Sequence, residues 1–394
     1  MNIIHLISNK SWGGGEKYAL DLCKALEERG HSTAVITRSG YPAVDKPFAD
    51  AGIAVGHLPL RGALDILSPL VLSRILDRLE GPVVVHVHNF KDALVALRAR
   101  RLMKSDRRRG LRVVCTRHLV RPAKTGRLDR GTYRDLDALI FVSDAARAAF
   151  MATAPADLNS DPRICVIHNA IPLQKNNSDQ KSRKSIANDV GTRHGASAPP
   201  VSAIAPEKSA PSARPEKFRF LFAGRIAPEK GLDVLVEAFR RVELARPGAA
   251  ALTVCGTGDS RTVMPIVRTT RAPELDGKVT WAGHVDDISA EIARADAGVV
   301  PSRAPEAFGL AALEFMAAGI PVIASEIGAL PEVTGPDGIL VPPDNPAALA
   351  DAMLRLIDSP ELCARLGEAG KRRAAENFAY DKFVDSVIAV YEGK

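Results

Sequence analysis

The sequence is poor in cysteine, in aromatic residues and in long apolar runs. Its five cysteines (Cys23, Cys115, Cys165, Cys255 and Cys363) stand singly, with no Cys-x-x-Cys pair and an odd total. That pattern argues against a disulfide framework or a zinc knuckle and fits a reducing cytoplasm. No apolar stretch reaches the roughly 18 residues of a membrane span, and the N-terminus, MNIIHLISNKSWGGGEK, offers only a brief apolar run of first-strand character. Neither a signal peptide nor a membrane span is expected. What is present is a chain of 394 residues, 46% hydrophobic and 25% charged, enough for about two domains with sizeable cores.

Charge is unevenly spread. The net +7 resolves into +9 over residues 1–172, +4 over 173–217 and −6 over 218–394. The stretch LRARRLMKSDRRRGLRVVCTRHLVRPAKTGRLDRGTYR concentrates arginine, which favours phosphate groups, an anionic membrane surface or nucleic acid, with a plain solvated surface as the alternative. Aromatic residues for base stacking are scarce here, so no nucleic-acid partner is expected.

The chain divides near its middle. From Gln174 to Glu216 there is no aromatic residue and much Ser, Ala, Pro and Lys, a composition that cannot offset its ordering entropy by burial and that reads as a disordered linker or insertion. On either side, short β-rich runs alternate with helical segments, the pattern of βαβ units on parallel sheets. The expected front strands are IIHLI, TAVIT, VVVHVH, RVVCTRH, ALIFVS and ICVIHN. The expected rear strands are FRFLFAG, ALTVCG, KVTWAG, AGVVPS, PVIAS and GILVP. The fold class is α/β, with two doubly wound domains.

Ligands of such sheets sit beyond the C-terminal strand ends. After the first strand, Gly13, Gly14 and Gly15 let backbone approach a ligand ahead of a helix that Gly30 ends, or simply make a tight connection. The spacing is not G-x-G-x-x-G, which speaks against a dinucleotide site. In the rear half Gly224 ends a strand, and Arg225 and Lys230 precede a helix, directing two cations to a sheet edge where a diphosphate can sit. Gly256 and Gly258 end the next strand, Val285 follows KVTWAG, and PEAFGLAALEFMAAGIPVIAS sets Glu306 and Glu314 around a Phe-Gly-Leu turn.

These motifs resemble the retaining GT-B glycosyltransferases of family 4, also called group 1 glycosyltransferases. The resemblance is strongest from Phe218 to about Asn345, through Gly224-Arg225, Lys230-Gly231, Gly256, Gly258 and the E-x7-E pair Glu306 and Glu314. It continues in the glycine-rich first loop, in CTRH ending at His118 and in VIHNAI. It implies a GT-B fold of two Rossmann-like domains facing across a cleft: an acceptor domain at 1–173, the linker at 174–216, a donor domain at 217–376, and a helix at 377–394 crossing back to the front domain.

The resemblance also implies roles. A nucleotide-sugar, a UDP-sugar favoured, has its diphosphate at the helix beginning near Gly309, held by N–H groups of Phe308, Gly309 and Leu310. Glu306 accepts hydrogen bonds from sugar hydroxyls and Glu314 from the ribose. Arg225 and Lys230 stabilise the leaving diphosphate, and His118 contacts sugar or phosphate across the cleft. Gly14, Gly15, Gly224, Gly256, Gly258 and Val285 complete the donor-binding set. Transfer is retaining, by front-side attack, with neither a metal nor a cofactor required. Glu332 in GALPEVTG resembles the family's G-G-x-P-E segment, with Ala329 in place of its second glycine, a departure that bears on close backbone approach there.

Other residues are read more plainly. Asp135-Leu136-Asp137 precedes its strand and is taken as structural, not as a metal-binding D-x-D. His86 and His88 share one face of a strand but lack an identifiable third ligand, and Asn89 and Lys91 at that strand's exit are placed to reach an acceptor. The basic front half suggests a phosphate-bearing or lipid-linked acceptor in bacterial surface-glycan synthesis, with the protein at the cytoplasmic face of the membrane. The rival readings are a GT-B sugar-nucleotide epimerase or phosphorylase, and a noncatalytic RNA- or membrane-binding protein.

Overall fold

Runs such as VVVHV and ALIF are buried at every position, and a strand covered on both faces needs helices on both sides, which is the layout of a parallel sheet. The computed structural model of the protein describes residues 1–172, 217–285 and 287–394. The expected linker at 174–216 lies outside the described residues.

The front sheet holds β1 (Asn2–Ile7), β2 (Ser32–Arg38), β3 (Ala54–Leu58), β4 (Val83–Val87), β5 (Leu111–Arg117), β6 (Ala138–Phe141) and β7 (Ile164–Val166). They run in the order β3-β2-β1-β4-β5-β6-β7, every pair parallel. The rear sheet holds β8 (Phe218–Ala223), β9 (Ala250–Cys255), β10 (Val279–Gly283), β11 (Ala297–Val300), β12 (Val322–Ser325) and β13 (Ile339–Val341), in the order β10-β9-β8-β11-β12-β13, again all parallel. Every expected strand forms. The unexpected one is β3, an edge strand whose AVGHL carries a glycine and an exposed histidine and buries only Leu58 fully.

Strand order reverses between β1 and β4 and again between β8 and β11, so each lobe has its ligand crevice at those C-terminal ends. The loop leaving β1 leads into the helix that begins at Gly14, and the segments leaving β8 and β11 contain Lys230 and Glu306, respectively.

The last helix, Tyr380–Glu392, leaves the rear lobe and buries Phe383, Val384, Val387 and Tyr391 against Ile3, Tyr18 and Val84 of the front lobe. At roughly 2 kcal/mol for each large apolar side chain, that burial outweighs the exposed pairs of Arg29 with Asp381 (2.9 Å) and Asp385 (3.3 Å). The Asp135 and Asp137 carboxylates lie at the N-terminal end of β6, away from the crevice. Asp137 accepts from Arg100 (2.6 Å) and from the Val113 N–H (2.7 Å), and Asp135 pairs with Arg101, which is a structural use of the motif.

Candidate active site

The segment after β11 must turn sharply to bring Glu306 back over the sheet, and Gly328 makes room for it. A Cβ at Gly328, whose φ is +60°, would lie 2.5 Å from both N and O of Glu306, and the Ala329 N–H then bonds the Glu306 carbonyl at 2.9 Å. Ala329 itself has φ −87°, an ordinary helical value, so the second glycine of the family segment is not needed for this approach. The Glu306 side chain takes two bonds on Oε1, from Lys230 Nζ (2.6 Å) and Ser302 Oγ (2.5 Å), which leaves Oε2 to other donors.

Lys230 arrives from the loop after β8. Arg225, on the same loop, is turned outward: it is 68% exposed and pairs with Glu229 at 2.5 Å. The Glu229 carboxyl is held below its usual range by its own backbone N–H, with help from Arg225 and Lys230. Arg225, Glu229, Lys230 and Glu306 thus form a string of alternating charge along the rim, with Lys230 joined to Glu306 and Arg225 at the outer end.

Just beyond Glu306, Gly309 adopts φ +100° and starts the helix Leu310–Ala318 with no side-chain cap. A first turn leaves its N–H groups unpaired, and those of Phe308, Gly309 and Leu310 find no acceptor among the described residues. The Phe308 ring is buried, edge-on to Phe378 at 5.5 Å, so only its backbone is offered. Val285 packs in the same apolar cluster. Gly224, Gly256 and Gly258 lie beneath the rim, where loops cross: a Cβ on Gly256 would fall 1.8 Å from the Gly224 carbonyl oxygen, and Gly258 bridges Ile226.

The front lobe meets this helix N-terminus with one of its own. Helix Gly14–Glu28 begins where a Cβ on Gly14 would lie 3.6 Å from Leu310 Cδ1 and one on Gly15 would lie 3.8 Å from the His118 ring. Glu314, one turn into its helix, faces Lys17 and Asp21 of that front helix. Burial raises its carboxyl pKa, and Lys17 opposes the rise. The cleft therefore gathers Gly14, Gly15, His118, Leu310 and Glu314 from both sides, with Lys230 and Glu306 at the rear rim.

A family model described as Glycosyltransferase Family 4 matches residues 12–175, and one described as Glycosyl transferases group 1 matches residues 217–359. Between them they take in both lobes and every residue of this cleft. The chain belongs to glycosyltransferase family 4.

This family 4 chain is 44% identical over 110 residues to the MMP alpha-(1->4)-mannosyltransferase of Mycolicibacterium hassiacum, a match covering 27% of the chain and 26% of that protein. It is 33% identical over 175 residues to a glycogen synthase of Mycobacterium tuberculosis, covering 43% of the chain and 41% of that protein. The chain thus matches less than half the length of these curated relatives. Among solved structures, HepE of Anabaena in complex with UDP superposes over the whole of both chains with a TM-score of 0.76 at 19% identity, a likeness of GT-B fold.

Several residues of the family 4 cleft were not legible as such. Ser302 and Gly328 support Glu306, Lys17 faces Glu314, His5 bonds His88 behind His118, and Tyr391 of the crossing helix bonds His86. His5 and His86 are register partners on adjacent strands, a pairing that only the sheet order reveals. The third ligand that the sequence did not offer is His5: His5, His86 and His88 each bring a ring nitrogen within 4.8 Å of the others, although as it stands His86 has its two nitrogens on Tyr391 Oη (2.6 Å) and Thr116 Oγ1 (2.7 Å).

Proposed function

We propose that this protein is a retaining glycosyltransferase that moves a sugar from a nucleotide-diphosphate donor, a UDP-sugar by preference, to a glycan or lipid-linked acceptor in bacterial surface-polysaccharide or lipopolysaccharide synthesis. The observation that carries the reading is the Lys230–Glu306 ion pair beside the uncapped N-terminus at Gly309 and Leu310. In the free protein each charge satisfies the other. When a nucleotide-sugar enters, Lys230 turns to the diphosphate and the Glu306 carboxylate accepts from sugar hydroxyls, so a preformed pair is exchanged for two ligand contacts.

The chemistry follows from where charge develops. As the bond between anomeric carbon and phosphate oxygen breaks, negative charge grows on the diphosphate, and Lys230 together with the N–H groups of Phe308, Gly309 and Leu310 stabilises it. The acceptor hydroxyl attacks the same face of the anomeric carbon and its proton passes to the departing phosphate oxygen. Glu314 holds the ribose, and Arg225 swings from Glu229 to reach the outer phosphate. These groups supply the charge compensation, so the reaction as written calls on no metal ion. Support for a UDP donor comes from HepE, solved in complex with UDP, and support for glycosyl transfer comes from a relative named as a mannosyltransferase.

Support for a membrane-borne acceptor comes from the front lobe. Leu64, Ile66 and Leu67 are 92%, 77% and 56% exposed, between the exposed Arg61 and Arg74, and Gly62 of the same segment lies against Lys91 at the exit of β4. An apolar tip with basic flanks suits an anionic lipid surface, and it adjoins the acceptor side of the cleft.

The test is turnover of UDP-sugars with lipid-linked saccharide acceptors, following UDP release and the anomeric proton of the product by NMR. The reading expects UDP release only with acceptor present and an unchanged anomeric configuration. Inversion, or UDP release without transfer, defeats it.

A further inference from the structure

The donor-site reading uses His118 but leaves the rings behind it unexplained. His5 on β1, His88 just past β4 and His118 just past β5 line up across the middle of the front sheet. His118 Nε2 lies 3.1 Å from His88 Nδ1, and His88 Nε2 lies 2.9 Å from His5 Nδ1. Successive rings are stacked at 24° and 12°, and Tyr18 packs edge-on against His118 (4.8 Å) and His88 (5.7 Å). The chain has two unlike ends. His5 Nε2 is buried without a partner, whereas His118 is only partly buried, with its Cδ2 edge beside Gly15 at the cleft and no hydrogen bond on Nδ1 among the described residues.

A neutral imidazole has one N–H and one lone pair, so each bond dictates the next and only two proton arrangements satisfy both contacts. In one, His5 Nδ1–H donates to His88 Nε2, His88 Nδ1–H donates to His118 Nε2, and His118 presents Nδ1–H to the cleft. In the other, every proton sits on the opposite nitrogen, and His5 buries an N–H with no acceptor. An orphaned buried N–H is the rarer defect, so the first arrangement is favoured. Burial also keeps the rings neutral: it lowers the pKa of His5 to about 3 and of His118 to about 4, and takes His88 well below its usual value.

We propose that His88 and His5 are positioning residues that lock His118 in the Nδ1–H tautomer, so that it meets the bound nucleotide-sugar as a neutral hydrogen-bond donor. This rests on the reading of the cleft as a donor site. It gives His118 one defined partner chemistry: an oxygen lone pair of a sugar hydroxyl or phosphate, not a hydroxyl proton.

The experiment is a long-range nitrogen–proton NMR spectrum of the full chain with 15N-labelled histidine, which distinguishes protonated from bare ring nitrogens. The proposal expects Nδ1 protonated and Nε2 bare in both His118 and His88 of the wild-type protein; protonated Nε2 on His118 overturns it. His88→Asn keeps an amide N–H near the Nδ1 position and should retain the His118 signature with kcat within about threefold of wild type, whereas His88→Phe should lose the signature and drop kcat at least about tenfold. Wild-type turnover in His88→Phe also overturns the proposal, and the wild-type spectrum decides the tautomer even if that variant does not fold. His118→Ala separates the two readings. Unchanged activity in it defeats the role of His118 in the donor site whatever the tautomer, while loss of activity with the wrong tautomer defeats only the lock.

Discussion

The Glu332 carboxylate of the rear lobe lies 2.6 Å from the backbone nitrogen of Ala145 in the front lobe, and its other oxygen lies 2.8 Å from that of Asp144. Both N–H groups belong to the first turn of helix Asp144–Met151, so a carboxylate from one lobe satisfies orphan donors of the other. His168 stands 3.5 Å from the same carboxylate. Burial alone would raise the Glu332 pKa, but His168 and the two N–H groups hold it below its usual range. The lobes are thus latched at a second place besides the crossing helix.

Glu332→Ala should loosen the lobes. Two charge-assisted bonds at about 1.5–3 kcal/mol each are lost, so the melting temperature should fall by several degrees and small-angle scattering should report a larger radius of gyration. An unchanged radius would mean that the crossing helix alone sets the lobe arrangement.

Stability should fall as the solution is acidified below about pH 6.5. The folded pKa of His5 is near 3 against an ordinary 6.5, and His86 and His88 are also well depressed. Between those values the unfolded chain binds more protons than the folded one, so unfolding is favoured as pH falls, by about 2 kcal/mol per fully buried histidine at pH 5. Urea unfolding at pH 7.5 and pH 5.0 measures this. Equal stabilities at the two values would show that the cluster is protonated in the fold.

Gly328→Val should spare the fold and damage the site. Its side chain would collide with the Glu306 backbone, where even a Cβ comes within 2.5 Å, and φ +60° is unfavourable for a branched residue. The expected result is a KM for the nucleotide-sugar raised about tenfold or more with a near-native circular dichroism spectrum. A wild-type KM would show that the Glu306 loop position is not needed for binding.

Tyr391→Phe should leave His86 Nδ1 without its partner at 2.6 Å while keeping the ring packing. A buried polar atom so orphaned costs about 1–3 kcal/mol, readable as a lower urea midpoint with unchanged slope. No shift would mean that water replaces the hydroxyl.

Much of this was legible in the residues. Strands such as VVVHV announce themselves because a parallel sheet buried on both faces leaves little but apolar side chains, and Gly30 ends the first helix at φ +79° as its position suggests. β3 was not legible, since an edge strand paired on one side tolerates Gly56 and His57. The Glu306 and Glu314 spacing around Gly309 also carried through to a helix with an open N-terminus. What periodicity could not supply was partnership across sequence distance. That Glu306 is joined to Lys230, that Arg225 turns to Glu229, that Glu332 caps a helix of the other lobe and that Gly328, not Ala329, makes the close approach all depend on loops meeting in three dimensions.

The central claim is that the rear lobe grips a nucleotide-sugar by its diphosphate, with Lys230 as the principal cation. Calorimetric titration of UDP-glucose into the wild-type protein and into Lys230→Ala addresses it directly. The account predicts saturable one-to-one binding to the wild type and affinity weakened about tenfold or more in the variant, equivalent to about 1.4 kcal/mol. Equal affinities for the two proteins would contradict it.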